Sequence, residues 1–94
     1  MGTLAKLYCP KCRASVEWPS GLDVNAKSEL AAWRRSSPVD AQRHIHSNLG
    51  LGLGESKVLV HHISSDRGTC HRCGSAISGL EVICEKCRSL DLNW

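Results

Sequence analysis

Six cysteines carry the clearest chemistry in this 94-residue chain, and they fall into three C-x-x-C pairs. The pairs are Cys9 with Cys12, Cys70 with Cys73, and Cys84 with Cys87. One metal ion can bind both sulfurs of such a pair, whereas disulfide frameworks usually join cysteines that are distant in the sequence. The cysteine spacing therefore predicts metal binding.

The last two pairs have the spacing of a complete four-cysteine site. The segment between Cys73 and Cys84 is long enough for a hairpin that brings the two pairs face to face. Four thiolates in tetrahedral geometry select zinc over hard cations, and Gly74 suits the positive φ that such turns often require. No coordination position then remains for water. We therefore expect a structural zinc ion bound by Cys70, Cys73, Cys84 and Cys87.

The remaining pair, Cys9 and Cys12, needs two further ligands if it is to hold a second zinc ion. Two histidines could supply them, one of His61 and His62 together with one of His44 and His46. We favour the first two, because they lie only a few residues before the C-terminal cysteines. Neighbouring histidines on a helix point about 100° apart, so at most one of these two faces a given metal.

Other arrangements of the first pair remain open. Two chains could each contribute it to a shared site, or it could close a site with one C-terminal pair and leave the other pair over. It could also be empty or oxidised. A thioredoxin-like redox role is disfavoured, because that motif lies between a strand and a helix. Here the residues after Cys12 alternate like a strand, with Val16 and Trp18 on one face.

The composition indicates a chain that relies on metal for its stability. It contains no Phe and one Tyr, so a domain of this size has little aromatic material for a core. The formal net charge is +3, and four thiolates on one Zn²⁺ bring it to about +1, which is not strongly basic. No secretory or membrane-spanning segment is evident. We expect a reducing, cytoplasmic setting, in which paired cysteines bind metal.

The hydrophobic pattern predicts short strands near the chain ends and helices between them. Helices are predicted over residues 24–35, 38–49 and 55–63, and paired strands over residues 75–77 and 80–83. Ser37 and Pro38 are typical of a helix start, and Gly50 is typical of a helix end. The middle of the chain is therefore predicted to be helical.

The segments LYCPKCRASVEW (residues 7–18) and CHRCGSAISGLEVICEKCRSLDLNW (residues 70–94) resemble the zinc-ribbon superfamily. The resemblance implies a metal site and a binding platform, but no particular activity. We expect an α+β fold: a small zinc ribbon formed by the two chain ends, with an inserted helical hairpin. The expected single domain, residues 1–94, has an N-terminal knuckle hairpin (1–20), a helical insertion (25–64) and a C-terminal ribbon (68–94).

A second resemblance concerns GLGLGESKVLV at residues 50–60. It is similar to a GLGLKEAK-LV motif in the C-terminal domain of the bacterial ribosomal stalk protein, where the motif belongs to a helical hairpin that docks translation factors. The resemblance implies such a hairpin here and places Lys57 at a basic factor-contacting position. Gly54 stands where that family has a lysine, and His46 stands where it usually has an arginine. Part of the family's basic surface is therefore absent.

The sequence favours a non-enzymatic function, because no catalytic triad, acid–base carboxylate pair or open metal site is evident. We expect a small zinc-binding module that recognises a protein partner. The alternative is a zinc ribbon that binds RNA or DNA, for which a ribosomal association would be natural. Basic side chains in and beside the knuckles support that alternative: Lys11, Arg13, Arg72, Lys86 and Arg88.

Overall fold

The computed structural model describes residues 4–94, which form three helices and two two-stranded antiparallel sheets. In chain order the elements are β1 (Leu4–Cys9), β2 (Ala14–Pro19), α1 (Val24–Ser36), α2 (Pro38–Leu49), α3 (Leu53–His62), β3 (Glu81–Ile83) and β4 (Leu90–Leu92). Strands at both ends and helices between them confirm the predicted α+β class. The first three residues of the predicted N-terminal unit lie outside the described part of the chain.

β1 and β2 form a hairpin with the first cysteine pair at its tip. Cys9 is paired with Ala14 across the hairpin, so residues 10–13 make the turn. Val16 and Trp18 are buried at alternate positions of β2, as the sequence pattern predicted. These two side chains anchor the hairpin on the core and place Cys9 at its inner end.

Local capping signals set the ends of the first two helices. The Asp23 side chain accepts a hydrogen bond of 2.8 Å from the backbone N–H of Ala26 at the start of α1. Ser37 Oγ accepts one of 3.3 Å from the backbone N–H of Asp40, which confirms the predicted start of α2. Gly50 ends α2 in the left-handed conformation, with φ of 72°. The turn from α2 into α3 is therefore placed where the sequence predicted it.

The third helix carries the chain back to the N-terminal hairpin. It begins at Leu53, two residues before the predicted start, and ends at His62. Ser56 is buried in its first turn, where the hydroxyl donates to the carbonyl of Gly52 at 2.7 Å. Leu59 is fully buried in the core. Because α3 packs against β2 and β4, its last residue lies close to both ends of the chain.

The strand pairing in the C-terminal block differs from the prediction. β3 pairs with β4 instead of with residues 75–77. The turn at residues 84–87 reverses the chain. The strand that follows places Leu90 and Leu92 in the core, where they are 1% and 0% exposed. Residues 75–77 are more exposed. The LDL segment therefore buries more apolar surface as the partner of β3, and the predicted hairpin was wrong.

The two chain ends meet on a shared core. The ring of Trp18 packs edge-on against that of Trp94, with 5.4 Å between centroids. Ile63, which follows α3, forms a parallel bridge with Leu92 on β4. The tip of the N-terminal hairpin, the end of α3 and the last strand are consequently neighbours, although they are far apart in the sequence.

Candidate metal centres

The three cysteine pairs fold into the same type of turn. In each, the backbone N–H four residues after the first cysteine donates to the carbonyl of that cysteine. The bonds run from Arg13 to Cys9 at 2.9 Å, from Gly74 to Cys70 at 3.1 Å and from Arg88 to Cys84 at 2.9 Å. This closed turn directs both sulfurs of a pair to one side, which is the geometry that a shared metal ion requires.

Each turn also places the residue after its second cysteine in the left-handed region. The φ angles are 56° at Arg13, 79° at Gly74 and 66° at Arg88. The sequence predicted a positive φ for Gly74 but missed the two arginines, in which this conformation is uncommon. Their position after a C-x-x-C pair, equivalent to that of Gly74, was the signal that could have identified them.

The predicted four-cysteine group is assembled. The sulfurs of Cys70, Cys73, Cys84 and Cys87 all lie within 4.8 Å of one another. The sulfurs of Cys70 and Cys87 are 3.6 Å apart, and those of Cys73 and Cys84 are 3.5 Å apart. A disulfide would require about 2.0 Å, whereas two sulfurs on one tetrahedral zinc are separated by about 3.8 Å. The arrangement fits a metal ion bound by four thiolates.

The thiols of this group differ in acidity. Hydrogen bonds with the side chain and backbone of Ser75 lower the pKa of exposed Cys73 to about 6. Burial raises the pKa of Cys70, and burial also raises that of Cys87. Cys73 therefore offers a thiolate near neutral pH, and a metal ion would have to displace the protons of Cys70 and Cys87.

The first pair has a histidine beside it. The sulfurs of Cys9 and Cys12 and a ring nitrogen of His62 lie within 4.8 Å of one another. The distance from Cys12 Sγ to His62 Nε2 is 3.2 Å. His62 Nδ1 is 2.7 Å from the carbonyl oxygen of Val58, to which it must donate because that oxygen can only accept. In neutral His62 the lone pair therefore lies on Nε2, which faces the sulfur.

Cys9 is the more acidic member of its pair. Its burial raises the pKa, but hydrogen bonds from the backbone of Leu90 and from Cys12 and His62 outweigh burial and lower the pKa to about 6. The Leu90 N–H lies 3.3 Å from the sulfur. The pKa of Cys12 is raised, by burial first and then by Cys9. At neutral pH the pair thus holds a thiolate that the last strand helps to stabilise.

The other histidines considered as ligands lie elsewhere in the described structure. His61 is exposed, and its Nδ1 donates to the carbonyl of Lys57 at 2.9 Å. His46 Nδ1 donates to the carbonyl of Leu51 at 2.7 Å. His44 stacks on Trp33, with 5.1 Å between ring centroids. Of the predicted histidine candidates, the structure brings only His62 to the sulfurs of the first pair.

One histidine that the sequence reasoning left unassigned lies beside both cysteine groups. Asp91 Oδ1 accepts hydrogen bonds from Nδ1 of His71 and, at 2.9 Å, from its backbone N–H. The ring of His71 is 5.3 Å from that of His62 between centroids. Burial lowers the pKa of His71 despite the neighbouring carboxylate. The signal for His71 in the sequence is weak, because the residue lies inside a C-x-x-C pair.

A third potential metal-binding group overlaps the first. Ligand atoms of Cys70, His71 and Asp91 lie within 4.8 Å of one another. Cys70 already belongs to the four-cysteine group, so a separate ion in this third group would require the Cys70 sulfur to bridge two metals. The overlap instead places Asp91 and His71 directly next to the four-cysteine group.

Comparison of the chain with protein-family models, curated proteins and solved structures found no match. The comparisons therefore give no support to the resemblance of residues 50–60 to the ribosomal stalk motif, although α2 and α3 do form a helical hairpin around Gly50. Among the described residues, no helix is long and apolar enough to cross a membrane. The cysteine groups and the surface around them are therefore the features of this chain that indicate a function.

Proposed function

We propose that this chain is a structural zinc-binding module without catalytic activity. The observation that carries the proposal is the four-cysteine group, whose sulfurs lie at distances that suit one tetrahedral ion. Sulfur ligands favour zinc among the common divalent cations that occupy tetrahedral structural sites. Four protein ligands leave no position for a substrate or an activated water, so this ion would act through folding alone.

The module would serve as an adaptor for a protein partner. Exposed apolar side chains on β1 support this role: Leu4, Leu7 and Tyr8 are 49%, 39% and 57% exposed. Only two strands form this sheet, so β1 has β2 as its single partner in it. Aromatic and apolar side chains on an ordered strand are typical of protein interfaces. The near-neutral charge expected of the zinc-loaded chain also suits a protein partner better than a nucleic acid.

A cross-linking comparison would test the adaptor role. We expect proteins captured in cells by the wild-type chain to be lost with a Leu7→Ser, Tyr8→Ser double variant. Val39→Ser with Leu53→Ser is the matched control, because these residues of α2 and α3 are 58% and 60% exposed. Zinc content and melting temperature must be equal in all three proteins. Equal capture by both double variants would contradict a binding surface on β1.

Nucleic-acid binding is the alternative function, favoured by five exposed basic side chains at the three knuckles. They are Lys11, Arg13, Arg72, Lys86 and Arg88. A ribosomal RNA partner would fit this alternative. Affinity for RNA or DNA that falls steeply with rising salt would support it, because each phosphate contact releases a counterion. Binding that resists both nuclease and salt would favour the protein partner instead.

A further inference from the structure

We propose that Cys9, Cys12, His62 and His71 form a second zinc site, with Asp91 positioning His71. This site is independent of the adaptor role and uses no cysteine of the four-cysteine group. It differs from the sequence-based expectation, in which the remaining ligand came from α2. Three observations carry it: the turn at the first pair, the orientation of the two histidines, and the burial of Asp91.

The turn at Cys9 has the form of the two turns that build the four-cysteine group. It shares their closing hydrogen bond, here from the Arg13 N–H to the Cys9 carbonyl at 2.9 Å. It also shares the positive φ of the residue after the second cysteine, 56° at Arg13. A non-glycine residue held in this conformation is strained by about 1 kcal/mol or more. The chain thus adopts a metal-binding turn at this pair even where the sequence disfavours it.

His62 is oriented as a zinc ligand. Metal-bound histidines almost always donate their second ring N–H to a carbonyl or carboxylate. His62 makes such a bond from Nδ1 to the Val58 carbonyl, at 2.7 Å. Its Nε2 then lies 3.2 Å from Cys12 Sγ, close to the separation of about 3.5 Å expected for nitrogen and sulfur on one tetrahedral zinc.

His71 lies next to this group, although its ring nitrogens are not within 4.8 Å of all three ligand atoms of Cys9, Cys12 and His62. Its Nδ1 donates to Asp91, which leaves Nε2 as the metal-binding atom. The centroid separation of 5.3 Å from His62 matches the value of about 5 Å for two imidazoles on one tetrahedral zinc. Nε2 now contacts the hydroxyl of Ser89 at 3.3 Å, and that hydroxyl lies 3.9 Å from Cys9 Sγ. Exchange of the Ser89 contact for a metal bond requires a side-chain shift of His71.

The buried carboxylate of Asp91 favours a positive charge at the proposed second site. Its side chain is completely buried, and within the described residues its Oδ2 has no hydrogen-bond partner. A buried carboxylate is costly unless a compensating charge lies nearby. A zinc ion on the far side of the His71 ring would provide that charge through the imidazole. The carboxylate in turn would fix the ring and make it a stronger ligand.

Cadmium NMR on the full chain tests the site without any substitution. The protein is labelled with ¹⁵N-histidine and loaded with ¹¹³Cd²⁺ in place of zinc. We expect two cadmium resonances, one from four sulfurs and one from two sulfurs and two nitrogens. One-bond ¹¹³Cd–¹⁵N coupling should appear at Nε2 of two imidazoles, those of His62 and His71. Absence of the resonance from two sulfurs and two nitrogens, or coupling to His62 alone, would overturn the proposal.

Variants assign the couplings and separate this site from the four-cysteine group. His71→Gln should remove one coupled imidazole while the four-sulfur resonance persists. His61→Gln, in which an exposed neighbour of His62 is changed, should leave both cadmium resonances and both couplings intact. Loss of the four-sulfur resonance in the wild type would refute the proposed function rather than the second site, so the two failures are distinguishable.

A separate variant tests whether Asp91 positions His71. Asp91→Asn keeps the size of the side chain but removes its charge. We expect the dissociation constant of zinc at the second site to rise about 10- to 100-fold, the usual effect of losing such a partner, while the four-sulfur resonance is kept. Unchanged affinity at the second site, measured by chelator competition, would show that Asp91 does not support His71.

Discussion

Arg13 and Arg88 are the two non-glycine residues in the described structure that have a positive φ, and each follows a cysteine pair. The conformation lets the backbone N–H of each arginine reach the carbonyl of the first cysteine, which closes the turn. The strain is therefore local to the metal-binding turns. It should be measurable, because glycine adopts this conformation without a penalty.

Arg88→Gly should stabilise the zinc-loaded protein, by about 1 kcal/mol in the free energy of unfolding, because the strain at φ of 66° is relieved. Arg72→Gly is the matched control, since Arg72 lies in a knuckle without a positive φ. There the added flexibility should destabilise by about 0.5–1 kcal/mol. Chemical denaturation of both variants checks this, and shifts of the same sign would contradict it.

The acidity of Cys73 gives a pH-dependent prediction. The pKa of its thiol is lowered to about 6, whereas burial raises that of Cys87. Because the thiolate is the reactive form, alkylation of Cys73 in a short pulse straight after a chelator removes the metal, before the ribbon unfolds, should rise around pH 6 and level off by neutral pH. Cys87 should react only at higher pH. Peptide mass spectrometry separates the two sites, and parallel pH profiles would contradict the assigned hydrogen bonds of Ser75.

At the scale of the elements, the turn between α2 and α3 depends on Gly50. An added Cβ there would meet nothing within 4 Å, so the effect of a substitution comes from its φ of 72° alone. We expect Gly50→Ala to destabilise the protein by about 1 kcal/mol. Gly54→Ala is the control in α3, where alanine should stabilise by a similar amount. Thermal unfolding compares them, and a neutral Gly50→Ala would contradict the helix-ending role.

The helices could be predicted from the sequence because their ends depend on nearby residues. The Ser37 side chain caps a backbone N–H three residues later, and Gly50 ends the same helix. The partner of β3 could not be predicted in the same way. It lies beyond the turn at residues 84–87, and which strand pairs with it is decided by the burial of Leu90 and Leu92 in a core built by the whole chain.

At the scale of the whole molecule, the same distinction applies to the metal-binding groups. The four-cysteine group was predictable because short-range spacing defines it. Of the surroundings of Cys9, His62 was among the predicted candidates, but the backbone of Leu90, 81 positions along the chain, was not. Pattern and spacing predicted that the two ends meet, but they carry no information on which residues of the last strand face Cys9. His71 was missed for that reason.

The two ends of the chain are linked by β4. Its Leu90 N–H donates to Cys9 Sγ, and its Asp91 carboxylate binds the backbone of His71, next to Cys70. Trp94 packs on Trp18 of the N-terminal hairpin. Loss of metal at the C-terminal cysteines should therefore unfold both ends of the chain in one cooperative step.

The most direct test of the central claim is zinc per chain in Cys84→Ser relative to the wild type, for protein purified without added metal. Cys84 is 2% exposed, and its sulfur lies 3.5 Å from that of Cys73. Ser78→Ala, an exposed change in the same block, is the control. We expect the cysteine variant to lose about one zinc ion and to melt at a much lower temperature, because metal binding at this site is largely folding free energy. Unchanged zinc content and an unchanged melting temperature would contradict a structural four-cysteine site.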